Sequence, residues 1–163
     1  MVKMKRRLQI TKVSGKNSLH RWWRVKCPFF TAINYCVVCL AKKMPSLTLK
    51  NILLRSIEVK IGRDASIAPD VDIDFLYPEL IEIGENAIIG YGATILAHEF
   101  LIDEYRTGKV IIGKNALIGA KAIILAGVKI GKGARVGAGS VVCEDVKENS
   151  FVAGVPAREI RKG

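Results

Sequence analysis

"IGKNALIGAKAIILAGVKIGKGARVGAGSVV", residues Ile112 to Val142, decides the fold. An apolar leader recurs every six residues, at Ile112, Ile118, Ile124, Ile130, Val136 and Val142. Four residues after each of the first five stands a small side chain: Ala116, Ala122, Val128, Ala134 and Ser140. An amphipathic helix needs apolar residues three or four apart, and a half-buried strand needs strict alternation. Neither template fits. A fixed six-residue period with a β-branched leader is the signature of a parallel β-helix, in which each unit supplies a short strand and a turn. Three units then close one triangular coil, and stacked strands about 4.8 Å apart satisfy one another's backbone groups.

The pattern runs outward in both directions. Upstream, the leaders are Ile61, Ile67, Ile73, Ile83, Ile89, Ile95 and Leu101, with small partners at Ala65, Val71, Ala87 and Ala93; downstream, Val146 continues the small column. The residue after the leader cycles Gly84, Gly90, Leu96, then Gly113, Gly119, Leu125, then Gly131, Gly137, Cys143. That cycle is an 18-residue super-period, so the coil is three-sided. Two breaks interrupt the register: "DFLYPEL", Asp74 to Leu80, adds four residues, and "EFLIDEYRTGK", Glu99 to Lys109, adds five between Leu101 and Ile112. A solenoid must eject extra residues as a loop, and function collects on such loops. One of the two histidines, His98, stands at the foot of the second.

The chain has 163 residues, enough for one compact domain with a small appendage. Half of it is apolar, which argues against disorder. The net charge of +11 is unevenly placed: residues 1–60 carry 14 Lys and Arg against one acidic residue, and residues 61–163 carry 12 against 14. Basicity therefore belongs to the N-terminal segment, read as residues 1–59 and partly helical, ahead of a β-helix over 60–163. Within it, "CPFFTAINYCVVCLA", Cys27 to Ala41, is shorter than the roughly 20 residues a helix needs to cross a bilayer. It is either a helix packed on the main domain or one lying on an anionic membrane surface. "SLTLKNILLRSIEV", Ser46 to Val59, reads as a helix that caps the first coil with Leu49, Leu53 and Leu54 on one face. "RWWR", Arg21 to Arg24, mixes bases with aromatics, but nucleic-acid binding is not expected from so short a patch.

Cys36 and Cys39 form a lone C-x-x-C, with Cys27 and Cys143 elsewhere. With no second pair at zinc-ligand spacing and no recognisable secretory signal, the expectation is reduced, buried thiols in a cytoplasmic protein.

The stretch from about Leu47 to Gly163 resembles the hexapeptide-repeat acyltransferase superfamily, and the tail "IGAGSVVCEDVKENSFVAGVPAREIRKG" carries the V-x-G-x-P-A-x-x-I ending of its maltose, galactoside and xenobiotic acetyltransferase branch. The resemblance implies an all-β fold, a left-handed parallel β-helix, with the N-terminal helical segment attached. It also implies transfer of an acetyl group from acetyl-CoA to a hydroxyl of a sugar or other small polar acceptor, with His98 as general base. Imidazole suits this work because it titrates near neutral pH. Glu99 is a candidate to hold its tautomer or contact the acceptor. Gly127, equivalent to His98 one coil later, is expected to leave room for the acyl group.

For the donor, the resemblance places Ala120 and Ala138 along the pantetheine arm, Cys143 and Glu144 at a cofactor contact, and Arg158 and Arg161 at the phosphates. Family members often have Thr-Lys where this chain has Cys143 and Glu144, which puts one phosphate contact in doubt. Among Asp70, Asp72 and Asp74, the last is the first choice to meet the acceptor. Family members are generally homotrimers with sites between prisms. No metal is expected: a zinc enzyme on the same prism needs three histidines, and this chain has His20 and His98 alone. Relatives that use acyl carrier protein are expected to carry a helical C-terminal domain, which this sequence does not show. An N-acetyltransferase acting on an amino-sugar, and a non-catalytic scaffold or membrane-docked module, are the competing readings.

Overall fold

The computed structural model describes residues 6–160. Its frame is three parallel sheets that the chain visits in rotation. The first face holds Lys60–Ile61, Ile81–Ile83, Val110–Ile112 and Lys129–Ile130. The second holds Ser66–Ile67, Ile88–Ile89, Leu117–Ile118, Arg135–Val136 and Phe151–Ala153, with Arg158–Glu159 added antiparallel. The third holds Asp72–Ile73, Thr94–Ile95, Ile123–Ile124 and Val141–Val142.

Register follows the leaders. Ile83 lies between Ile61 and Ile112, Ile118 between Ile89 and Val136, and Ile124 between Ile95 and Val142. These columns fill the prism, and Ile89, Ile95, Ile112, Ile124 and Ile130 are wholly inaccessible. The small residue four places on lies at the corner, where two faces converge: Ala87, Ala93, Ala122 and Ala134 are also wholly buried. Three residues after the leader the backbone turns through the left-handed region, at Asp64, Asp70, Asn86, Gly92, Asn115, Lys121, Gly127, Gly133 and Gly139. Gly, Asn and Asp enter that region at least cost, which explains the composition of all these turns but the one at Lys121.

The corners differ in tightness. At the corner leaving the first face, a Cβ on Gly84 would lie 2.6 Å from the Lys114 nitrogen. At the corner leaving the second, a Cβ on Gly119 would lie 2.5 Å from the Ala138 nitrogen. Coils stack there backbone on backbone. The third corner carries Asp74, Leu96, Leu125 and Cys143 in the same place, so it has room for side chains. Both ejected segments leave from it.

The second ejected segment is an antiparallel hairpin, His98–Phe100 paired with Glu104–Thr107. Leu101 belongs to its tip and not to the apolar column, which corrects the leader series: Ile95 is followed directly by Ile112 on the next face. The hairpin acquires a third strand from the start of the chain, Gln9–Lys12, antiparallel to Glu104–Thr107. That strand was not foreseen.

The N-terminal segment continues through α1 (Trp22–Val25), α2 (Pro28–Lys43) and α3 (Leu47–Ser56). The α3 helix caps the first coil, but its buried residues are Lys50, Asn51 and Leu54, while Leu49 is exposed. The reason is that an end coil presents unpaired carbonyls. Lys50 Nζ donates to the carbonyls of Ile67 and Ala68 at 3.0 and 2.9 Å, and Asn51 Nδ2 to that of Ala65 at 2.8 Å. Polar caps answer that need better than leucines do. The α2 helix buries Thr31, Val38 and Ala41 and exposes Phe29, Phe30 and Leu40. Cys27, Cys36 and Cys39 are exposed too, against the expectation of buried thiols; Cys143 alone is buried. No single described helix is long and apolar enough to cross a membrane.

Candidate active site

Asp74 is the first residue past the Ile73 leader, where the other two corners place glycine. Its backbone N–H still continues the ladder, donating to the Ile95 carbonyl at 3.0 Å. Its side chain is wholly buried and gathers the feet of both ejected segments. Oδ1 accepts from the N–H groups of Leu76 and Tyr77, at 2.9 and 3.1 Å. Oδ2 accepts from those of Ala97 and His98, at 2.7 and 3.0 Å. Oδ2 also lies 2.5 Å from His98 Nδ1.

Burial alone would raise the Asp74 carboxyl above the ordinary range. The hydrogen bond and charge of His98, with the amides of Ala97 and Tyr77, outweigh it and hold the group low. An ionised carboxylate only accepts, so Nδ1 carries a proton, and in the neutral ring Nε2 is then the nitrogen that presents its lone pair. Nε2 has no protein partner among the described residues and is not a buried atom. The His98 side chain is 19% exposed. Phe100 meets its ring edge-on at 4.9 Å between centroids, and Tyr77 stands 5.8 Å away. The ring is therefore fixed in plane and tautomer with one basic nitrogen facing out, which is the arrangement that takes a proton from a hydroxyl.

The other expected site residues fall in three groups. Glu99 does not hold the tautomer, because Asp74 does; its carboxylate pairs with the Arg6 guanidinium, whose side chain is 4% exposed and which also donates to the Ala126 carbonyl at 3.3 Å. Gly127 is not open space: Arg7 N donates to its carbonyl at 3.2 Å, and a Cβ there would lie 2.7 Å from the Arg7 oxygen. The N-terminal backbone fills the room expected for an acyl group. Cys143 and Glu144 stand on the same corner two coils farther on, the first buried and the second half-buried. Exposed Arg158 comes within 3.8 Å of Glu144. Ala120 and Ala138 lie on a different corner, between the second and third faces, and their N–H groups have no partner among the described residues. One chain thus does not bring them to His98, since the third face lies between. Arg161 lies outside the described residues.

Sequence reasoning missed Arg6, whose partner is 93 positions away, and the orienting role of Asp74. The second had a signal: the one charged residue at a place the super-period otherwise fills with Gly, Ala, Leu or Cys.

Among the described residues no three His, Cys, Asp or Glu side chains cluster as a metal site. A family model for the hexapeptide repeat of succinyl-transferase matches residues 109–144. YvoF of Bacillus subtilis (strain 168), provisionally named an acetyltransferase, is 48% identical over 152 residues, covering 91% of this chain and 87% of the relative. A maltose O-acetyltransferase from Clostridium difficile 630 superposes with a TM-score of 0.66 at 22% identity, over 82% of this chain and 86% of that one. A galactoside acetyltransferase in complex with coenzyme A gives 0.61 at 25% identity, over 83% and 81%. Short strands stacked on a six-residue repeat and a near-full-length relative at 48% identity together establish that the chain belongs to the hexapeptide-repeat acetyltransferases.

Proposed function

We propose that the protein transfers the acetyl group of acetyl-CoA to a hydroxyl of a sugar or other small polar acceptor, with His98 as the general base. The observation that carries this reading is the buried Asp74 carboxylate on His98 Nδ1, which leaves Nε2 basic and open. His98 takes the hydroxyl proton as the acceptor oxygen attacks the thioester carbonyl. The carbon–oxygen bond forms, the carbon–sulfur bond breaks, and the imidazolium returns its proton to the departing thiolate. Asp74 keeps the ring aligned and balances its positive charge while it holds that proton.

Donor binding is supported by chemistry at two corners. The free amides of Ala120 and Ala138 suit the polar pantetheine arm, and Arg158 offers a guanidinium for phosphate beside the Cys143–Glu144 turn. Arg161 belongs to the same proposal by its place in the sequence. Because these corners are distinct within one chain, the reading includes a homotrimer in which neighbouring prisms share each site. We further take the coil as left-handed, residues 1–59 and 60–163 as the two structural parts, and the compartment as cytoplasmic, in keeping with four unpaired cysteines.

The test is thiol release from acetyl-CoA in the presence of hydroxylated acceptors. His98→Ala is expected to reduce kcat/KM by on the order of 10²- to 10⁴-fold while coenzyme A binding persists. Unchanged turnover in that variant overturns the reading.

A further inference from the structure

His98 divides two recesses. On the side of the third face lies a cavity of about 110 Å³ lined by the Asp72–Phe75 and Thr94–Leu96 stretches. On the other side lies an apolar cavity of about 220 Å³. Phe75, Leu76 and Phe100 form its floor beside the imidazole, and Leu19, Trp22 and Thr31 of the N-terminal segment form its roof. No charged side chain lines it; the Thr31 hydroxyl and the His98 ring are its polar groups.

We infer that this cavity is an acceptor subsite, and that the small polar acceptor carries, beside the hydroxyl that is acetylated, an apolar substituent about the size of an aromatic ring. The inference rests on the acetyl-transfer reading of His98. Size supports it: an apolar cavity of about 150 Å³ takes up benzene, so this one holds a ring with atoms to spare. A two-carbon acyl group has no use for that volume, and the phosphates of the donor are excluded by an apolar wall. The hydroxyls of a sugar ring would be unpaired inside it against Phe75, Leu76 and Phe100, so the polar part of the acceptor lies outside, whereas an apolar substituent is desolvated there with gain. Position supports it as well, because the cavity opens onto the ring whose Nε2 is free. The roof gives the N-terminal segment a chemical role: it selects the acceptor that the prism acetylates.

The test compares two alcohols that differ only in the apolar end, 2-phenoxyethanol and 2-methoxyethanol, by thiol release from acetyl-CoA. The expected result is a preference in kcat/KM of at least about tenfold for the phenyl compound, by the scale on which apolar pockets discriminate. Leu19→Asp, at an exposed position, and Trp22→Ala both bring the ratio of the two kcat/KM values to about one. Equal kcat/KM for the two alcohols, or a preference that both variants retain, overturns the inference without touching acetyl transfer. A gain on replacing acetyl-CoA by butyryl-CoA, with no acceptor preference, assigns the cavity to the acyl chain and overturns it too. If no alcohol releases thiol, the acceptor subsite falls with the general-base reading. Quenching of Trp22 fluorescence by 2-phenoxyethanol in Trp23→Phe protein then shows an apolar cavity that serves no acetyl transfer.

Discussion

The first two corners of the prism and the third are made from the same repeat and do opposite work. At the first two, glycine follows every leader but Ile67, which Ala68 follows, and successive coils touch backbone to backbone, as at Gly84 and Gly119. At the third, Asp74, Leu96, Leu125 and Cys143 take that place, the coils part enough for side chains, and both insertions emerge. Two tight corners make a frame stiff enough to hold the loose one, so the segments that carry Asp74 and His98 can leave the repeat without dissolving it. A rigid scaffold that positions mobile, chemically rich loops is a general solution for sites of this kind.

The sharpest way to break this comparison is to remove the chemistry and leave the frame. His98→Ala should lower kcat/KM by on the order of 10²- to 10⁴-fold with the far-UV circular dichroism of the column unaltered, because the ring stands outside the apolar columns that fill the prism. Next comes Asp74→Asn, in which frame and chemistry are lost together. With no full carboxylate to fix the Nδ1–H tautomer, kcat should fall by about a hundredfold. The broken amide contacts should cost about 1–3 kcal/mol, read by urea denaturation. The same variant tests a pH effect. A carboxyl held low in the folded state contributes stability above the ordinary carboxylate pKa of about 4, and that contribution disappears as pH falls through the depressed folded value. Wild type should lose stability in this acid window more steeply than Asp74→Asn.

Two smaller effects compare the corners directly. Gly119→Ala places a methyl carbon 2.5 Å from the Ala138 nitrogen and should destabilise by about 1–3 kcal/mol, read by urea denaturation. Leu125→Ala, one corner on, removes a half-buried side chain and should cost less than about 1.5 kcal/mol in the same assay. If the order of these two is reversed, the distinction between tight and loose corners is wrong.

The column was legible because its physics is local. A leader at Ile112 predicts the next at Ile118 from spacing alone, and the glycine–glycine–leucine cycle even marks the corner that opens. What could not be read were contacts made at a distance. Gln9–Lys12 is a four-residue strand with no alternating pattern, made a strand only by the hairpin edge it meets near residue 105. Lys50 looks like a surface lysine until the open carbonyls of Ile67 and Ala68 are placed beneath it. Leu101 fits the spacing but belongs to a hairpin, since apolar identity does not reveal that two strands have left the prism. Asp74 was noticed as a carboxylate near the loop, but its partners lie across the coil, and only the stacking of Ile73 on Ile95 brings them together.

The pairing of Gln9 with Thr107 ties the opening of the chain to a segment made much later. During synthesis the first strand must wait for that edge to emerge from the ribosome, so the arm bearing the imidazole gains its outer support late, as long-range pairings do.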